Sequence, residues 1–241
     1  MAATIYNVWR AKAIKGVVDA TLASIGAGGV GSSDALKALH HLLVQEPFTG
    51  LSTAGDVDFF PAPAGLSAED RRDATLLAAL RTALDALASA DFAAAFGGST
   101  VQDDYRWGRL HRITFDHPLA DAFSIPPQAG FEDLAPDLPG ISRDGGYNVV
   151  NASGFSARAD GSNEFRFGGG PVRRYVGQAE QGGPGMPNVL GVNVMPGGPS
   201  GVPGDPDYAT QLPTWLTADY HQVNMSPVVP AAGATREVFV P

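Results

Sequence analysis

The sequence predicts an α+β fold with a helical first part and a second part rich in strands and loops. The composition changes near Gly97, because only three of the 19 prolines and eight of the 30 glycines precede it. Apolar residues recur at helical spacing before this point, whereas short apolar runs between Gly/Pro clusters follow it. We therefore divide the chain into a helical segment, residues 1–96, and a strand- and loop-rich segment, residues 97–241.

Two helices are predicted near the start of the chain. The first, Thr4 to Leu22, is apolar around most of its circumference, so we expect it to be buried on more than one side, with Thr4 as its cap. The second, Asp34 to Gln45, follows Ser32-Ser33, which supply a cap, and ends before Pro47.

A third helix is predicted from Ser67 to about Ala90, ending before Gly97-Gly98. Ser67 and Asp70 resemble a capping box with a shorter acid. Four leucines at spacings of three and four predict a buried face: Leu77, Leu80, Leu84 and Leu87. The opposite, exposed face is then formed by Arg71, Ala78, Thr82, Asp85 and Ser89.

The second segment is predicted to contain several short strands. Arg109 to Asp116 alternates with a period of two, which is typical of a half-buried strand, and Pro118 ends it. Residues 124–144 are rich in Pro and Gly and predict a surface excursion. The further strand candidates are Tyr147 to Ala152, Glu164 to Phe167, Val172 to Gln178, Val189 to Met195, Ala218 to Met225 and Arg236 to Val240.

Composition excludes several classes of protein. Apolar residues at 44% and charged residues at 17% indicate a folded chain. A net charge of −9 with 16 scattered Lys and Arg disfavours nucleic acid as a partner. There is no cysteine for disulfide or thiolate chemistry. No apolar run is long enough to predict a membrane span, and the start of the chain lacks the pattern of a signal peptide.

Four ordered blocks of sequence carry a resemblance to a known family. Trp107-Gly-Arg-Leu-His-Arg with Asp116-His-Pro-Leu comes first, and Gly145-Gly-Tyr-Asn-Val-Val-Asn follows. The third is Gly170-Pro-Val-Arg-Arg-Tyr-Val, and the last runs from Pro196-Gly-Gly-Pro-Ser-Gly through Gln211-Leu-Pro-Thr-Trp-Leu to Asp219-Tyr-His. Together they resemble the penicillin acylase family of N-terminal nucleophile hydrolases, over essentially the whole chain.

The resemblance implies a fold and a position within it. Members have a layered αββα core, and the blocks matched here are similar to the last part of the large (beta) subunit. We therefore expect residues 1–241 to form one incomplete domain, whose partners are the upstream part of the large subunit and the small subunit. Any export signal would then belong to that upstream part, and the resemblance implies a periplasmic or secreted enzyme.

The resemblance also implies a reaction. The family nucleophile is a serine exposed as a new N-terminus, with its own α-amino group as base, and it acts through an acyl-serine intermediate. The substrates are small acylated amines such as β-lactams, acyl-homoserine lactones and lipopeptides. These catalytic elements, and the calcium ligands of the family, are expected upstream of this chain. We thus predict no catalytic residue, no cofactor and no metal site here, and an inactive chain when it is alone.

Two glycine-rich stretches suggest other chemistry. Gly26-Ala-Gly-Gly-Val-Gly31, with Glu46 twenty residues after Gly26, has the spacing of a dinucleotide-binding fingerprint, but a helical pattern rather than a strand leads into it. We favour a linker between helices. Gly198-Pro-Ser200-Gly-Val202 resembles a nucleophile elbow but lacks its final glycine, so Ser200 is interpreted as a turn residue.

The remaining candidates are isolated. His40 and His41 point to different helix faces, and the other histidines form no metal-binding pattern: His111, His117 and His221. His111 beside Arg112 is interpreted as a structural pair. The acidic pairs are interpreted as solvated loop residues: Asp103-Asp104, Glu132-Asp133 and Asp205/Asp207. Asn151-Ala-Ser153 is a formal glycosylation sequon.

The sequence therefore favours the C-terminal part of a penicillin-acylase-type amidohydrolase. A non-catalytic paralogous module that binds a protein or glycan partner remains the alternative.

Overall fold

The computed structural model describes residues 1–44, 57–125, 135–170, 173–180 and 188–224. The described residues up to Gly170 form one compact unit, and those from residue 173 onward form a second. The predicted α+β class is confirmed, since helices occur together with small antiparallel sheets. The change in composition near Gly97 lies within the first unit, and the division of the chain at that point stays a prediction.

The first helix is continuous from Ala2 to Ser24. It comprises α1 (Ala2–Ala13), a π-helical stretch (Ile14–Asp19) and α2 (Ala20–Ser24). The prediction of burial on more than one side is confirmed by its buried residues: Val8, Ala11, Ile14, Val17 and Val18. The prediction that Thr4 caps the helix is wrong. Thr4 lies inside the helix, and its buried hydroxyl donates to the carbonyl oxygen of Tyr105 at 2.8 Å.

Helix α3 (Ser32–Val44) follows the glycine-rich linker. Ser32 and Ser33 are its first two residues rather than a preceding cap, because the carbonyl of Gly31 already accepts from the amide of Ala35. Its buried leucines pack against the π-helical stretch of the first helix and include Leu36, Leu39 and Leu42. The predicted end at Gln45, before Pro47, lies outside the described residues.

Helix α4 (Ala68–Leu87) starts as predicted, whereas its buried face does not follow the predicted stripe. The Ser67 hydroxyl accepts from the amide of Asp70 at 3.1 Å, which confirms the cap. Ala83 and Leu87 are fully buried, but Leu77 is 56% exposed. Leu80 and Leu84 are half-buried.

The rest of the first unit consists of short elements. Helices α5 (Ala93–Phe96) and α6 (Trp107–Leu110) are followed by β1 (Arg112–Ile113), which pairs antiparallel with β2 (Ile141–Ser142). Single 3-10 turns lie at Ala90–Phe92, Gln102–Asp104 and Asp121–Phe123.

Three strand predictions in this unit are wrong. The first half of Arg109–Asp116 is a helical turn, and only Arg112 and Ile113 are strand residues. Tyr147–Ala152 and Glu164–Phe167 form turns instead of strands, apart from one bridge between Gly146 and Ala152. Residues 124–144 are not purely a surface excursion, because Ile141, Ser142 and Arg143 are buried.

The second unit is built on a three-stranded antiparallel meander. Strands β3 (Arg174–Glu180), β4 (Asn188–Val194) and β5 (His221–Asn224) lie in that order, which confirms the predictions in these regions. Helix α7 (Leu212–Leu216) precedes β5 and buries Trp215. The predicted strand Arg236–Val240 lies outside the described residues.

Ion pairs fasten residues 157–160 to the first helix. The Arg158 guanidinium donates from Nε and Nη2 to both carboxylate oxygens of Asp19, at 2.8 and 2.7 Å. Asp160 accepts from Lys12 at 2.7 Å and Lys15 at 2.8 Å. These long-range contacts place the loop that follows Ser153 directly against the first helix.

Candidate functional site

Two of the ordered sequence blocks meet in the first unit, and we take their meeting point as the candidate site. The indole Nε1 of Trp107 donates to the carbonyl oxygen of Gly145 at 2.9 Å. Gly145 has a φ of +88°, and a Cβ there would lie 2.2 Å from the carbonyl oxygen of Asn151. Only glycine therefore fits this close turn.

The block from Gly145 to Asn151 closes on itself. The amide of Gly146 donates to the carbonyl of Asn151 at 3.2 Å, and the amide of Ser153 donates to the carbonyl of Gly146 at 2.9 Å. The Asn151 side chain donates to Asp144 at 2.8 Å. The tip of this loop carries Val150, which is fully exposed.

His111 lies at the centre of the site. Its Nδ1 is 2.7 Å from the carbonyl oxygen of Phe165, and its Nε2 is 2.6 Å from the hydroxyl of Ser153. Because a carbonyl only accepts, Nδ1 carries the proton, and in the neutral ring Nε2 accepts from Ser153. Burial is the main reason that the pKa of His111 is lowered, and the nearby Arg143 lowers it further. The ring is therefore neutral at pH 7.

Aromatic rings enclose His111. The Trp107 ring is stacked on it at 5.1 Å between centroids with an interplanar angle of 16°. The Phe155 ring meets it edge-on at 5.5 Å, and Phe155 in turn contacts Phe165 at 5.5 Å. We call Trp107, His111, Ser153, Phe155 and Phe165 the His111 cluster.

Arg112 does not pair with His111, although the two are adjacent in sequence. Its guanidinium donates to Ser142 Oγ at 2.8 Å and to the carbonyl oxygens of Pro139 and Leu138, also at 2.8 Å each. It also reaches the carbonyls of Gly108 and Gly140. The interpretation of His111 and Arg112 as a pair is thus corrected: each side chain is bound to a different part of the chain.

Two further arginines are buried near the cluster. Arg143 donates its backbone amide to the carbonyl of His111 at 2.9 Å, and its side chain lies 3.1 Å from Asp144. The Arg10 guanidinium lies over the rings of Tyr147 and Phe155, at 5.3 and 5.8 Å. Burial partly removes the Arg10 guanidinium from water, and this desolvation lowers its pKa.

The contact between Ser153 and His111 brings together a hydroxyl and a neutral imidazole, the pair that activates serine nucleophiles. However, Ser153 is only 3% exposed and His111 is fully buried. A nucleophile must reach the substrate carbonyl carbon, and here aromatic rings cover the pair. In this structure the pair therefore joins backbone segments and is covered from solvent. No signal in the sequence predicted it, since the two residues are 42 positions apart.

The glycine-rich stretch is a linker, as we favoured. Helix α2 ends at Ser24 and α3 begins at Ser32, so a helix and not a strand leads into Gly26. A dinucleotide fingerprint requires a strand at this point. Glu46 lies outside the described residues.

Ser200 lies in a turn of the second unit. Its hydroxyl accepts from the amide of Val202 at 3.2 Å, and its own amide lies 3.4 Å from the carbonyl oxygen of Asp207. The hydroxyl thereby stabilises the local turn.

The remaining candidates stay apart from one another. Across the described ranges, no three or more His, Cys, Asp or Glu side chains are grouped so that they could hold a metal ion. His117 accepts from the amide of Leu119, Asp104 accepts from Ser99, and Asp205 accepts from the amide of Asp207. His40 and His41 lie on α3 and His221 on β5, while Asp103 is part of a 3-10 turn. Glu132 and Asp133 lie outside the described residues.

The sequon at Asn151 has an unfavourable geometry. Its amide nitrogen is bound to Asp144, and Ser153 of the same sequon is buried. The absence of catalytic, cofactor and metal residues from this chain stays a prediction.

Comparison with known proteins gives one clear result. A family model described as penicillin amidase matches residues 1–228, which include all four sequence blocks. A search of curated proteins found no match.

Proposed function

Because the chain belongs to the penicillin amidase family, whose model covers residues 1–228, we propose that it is part of an enzyme that hydrolyses the side-chain amide of an acylated amine. A serine oxygen attacks the amide carbon, the C–N bond breaks, and the amine leaves with a proton. Water then cleaves the acyl-serine ester and restores the hydroxyl. The family match over almost the whole chain is the observation that carries this assignment.

The proposed substrates are β-lactams, acyl-homoserine lactones or lipopeptides, in keeping with an antibiotic-processing acylase. We assign this chain a supporting role beside the acyl pocket, with the N-terminal serine and any calcium ligands in another part of the enzyme. The geometry of the His111 cluster supports this division, since the serine and histidine that it pairs are buried.

Exposed apolar surface supports the proposal that the rest of the enzyme packs against this chain. A groove of about 610 Å³ lies between α1 and α4, and its apolar lining includes Ile5, Tyr6, Trp9, Leu76, Leu77 and Leu80. We propose the upstream part of the large subunit and the small subunit as partners. A periplasmic or secreted enzyme is proposed on the same family grounds. Within the described ranges, no helix has the length and apolar character needed to cross a membrane.

An amidase assay tests the assignment. The purified chain alone should give no turnover of a chromogenic phenylacetyl anilide or of acyl-homoserine lactones, because the hydrogen-bonded hydroxyl and imidazole of Ser153 and His111 are buried. Two variants serve as controls, Ser153→Ala and Ser200→Ala. Turnover that survives repurification and disappears in either variant would overturn the supporting role and identify that serine as a nucleophile.

A further inference from the structure

The His111 side chain joins three separate backbone segments. It lies between α6 and β1, accepts from Ser153 of the segment 143–154, and donates to the carbonyl of Phe165. Backbone hydrogen bonds join the same segments. The amide of Arg143 donates to the carbonyl of His111, and the amide of Phe167 donates to the carbonyl of Arg112, each at 2.9 Å. The two ring contacts thus link elements that are distant in sequence, in addition to the hydrogen bond from Trp107 Nε1 to the carbonyl of Gly145.

The contact with Ser153 depends on a neutral imidazole, whereas Nδ1 donates to the carbonyl of Phe165 in both protonation states. In the protonated ring both nitrogens carry hydrogen, so Nε2 no longer accepts from Ser153. The Ser153 hydroxyl must then turn to become an acceptor, and its own hydrogen loses its partner in a buried site. An unsatisfied buried donor destabilises the closed arrangement.

The charges around His111 oppose a further cation. Arg143 and Arg112 are adjacent to it along the backbone contacts, and Arg10 lies across the Phe155 ring. All three side chains belong to buried residues. Asp144 is the acidic group that favours protonation, but its side chain is 71% exposed and therefore screened by solvent.

We propose that His111 is an acid-sensitive lock, and that protonation of its ring breaks the contact with Ser153 and releases the segment 143–154 from α6 and β1. Helices α3 and α4 lie outside this link, so the release is local and does not require global unfolding. The exposed loop tip at Val150 belongs to the released segment.

The direction of the pH dependence follows from linkage. The pKa of His111 is lowered in the folded chain by burial. The open state therefore binds more protons than the closed state at pH values between the folded pKa and the ordinary value of about 6.5. The lock contributes its full stability above pH 6.5 and loses it as the pH falls toward the folded pKa. Within this window, each decrease of one pH unit raises the population of the open state by up to ~10-fold.

Hydrogen exchange measured by mass spectrometry tests the lock. The full chain is used in whichever preparation, alone or co-expressed with its partner, protects helix α3 at pH 7.5. After correction for the chemical exchange rate, peptides covering 143–154 should lose protection by up to ~10-fold between pH 7.5 and 5.5. Peptides from Ser32–Val44 should not change.

Two variants separate the lock from general acid sensitivity. His111→Gln provides amide donors and an acceptor without a titrating ring, so the pH dependence should disappear. Ser153→Ala keeps the ring but removes the contact itself, so the segment 143–154 should already be poorly protected at pH 7.5. Unchanged protection in the wild type down to pH 5.5, the same pH dependence in His111→Gln, or wild-type protection of 143–154 in Ser153→Ala at pH 7.5 would each overturn the proposal.

Discussion

Among the described residues, the Arg112 guanidinium donates to four backbone carbonyls and to one serine hydroxyl. The planar guanidinium suits this arrangement because it presents five N–H groups in fixed directions. Its hydrogen bonds fasten residues 138–142 to β1. This role was not predictable from sequence, because every residue has a carbonyl group and only the fold brings these four together.

We predict that Arg112→Lys lowers the free energy of unfolding by about 2–6 kcal/mol. An ammonium group has three donors and a shorter reach, so at least two of the five hydrogen bonds are lost, at about 1–3 kcal/mol each. Urea denaturation of the two proteins measures the difference.

Arg81→Lys is the matched control for Arg112→Lys, because Arg81 is exposed on α4. It should change the free energy of unfolding by no more than about 0.5 kcal/mol. A loss of similar size for both variants would contradict the role assigned to the carbonyl contacts.

Helix α4 shows how far an element could be predicted from sequence. The contacts of the Ser67 cap span only three residues, so local sequence was sufficient to predict them. The phase of the helix was not predictable from the leucines alone. Against α1 the helix presents the small Ala79 and Ala83 beside Leu76 and Leu87, which lets the two helices approach closely. The leucine stripe is consequently rotated away from the core at Leu77.

The rotated face predicts a graded series of alanine variants. Leu87→Ala should cost about 2–5 kcal/mol because Leu87 is fully buried. Leu80→Ala and Leu84→Ala should cost less, since both are half-buried. Leu77→Ala should stay within about 0.5 kcal/mol. Thermal or urea unfolding gives the order, and equal losses at Leu77 and Leu87 would restore the phase that the leucine pattern predicted.

The strand predictions were also right in one part of the chain and wrong in another. In the second unit, β3 and β4 were predicted because each is a run of seven residues between Gly/Pro clusters, and the four-residue β5 pairs with β4, the strand before it in the chain. Within the first unit, the apparent alternation of Arg109–Asp116 arises from four consecutive buried residues: Leu110, His111, Arg112 and Ile113. When consecutive side chains are all buried, the alternation of apolar and polar residues does not identify a strand.

The whole molecule presents the apolar groove between α1 and α4, and this surface should promote association when the chain is alone. We expect the isolated chain to bind ANS and to form oligomers or aggregates. Leu77→Lys should weaken both, because Leu77 lines the groove and is 56% exposed. Light scattering and ANS fluorescence measure the two effects.

Ala78→Lys is the control for the groove, since Ala78 is exposed on the same helix but is not part of the lining. It should leave association and ANS fluorescence unchanged. An equal response to both lysines would show that net charge, and not the groove, governs association.

For the whole molecule, the family was predictable from four short sequence blocks, but the contacts between those blocks were not. Two of the blocks meet at Trp107 and Gly145, and the hydrogen bond between them spans 38 positions. Sequence spacing cannot show such a contact, because it depends on how the intervening elements pack. The same limit explains why the partnership of His111 with Ser153 was missed.

Reconstitution of amidase activity tests the central claim most directly. The chain is co-expressed with the upstream half of a related acylase precursor, and turnover of a phenylacetyl anilide is measured for the mixture and for each part alone. We predict a soluble complex with activity and no activity in either part. Activity of the isolated chain, or a stable complex without any turnover, would contradict the account, and the second result would favour a non-catalytic binding module.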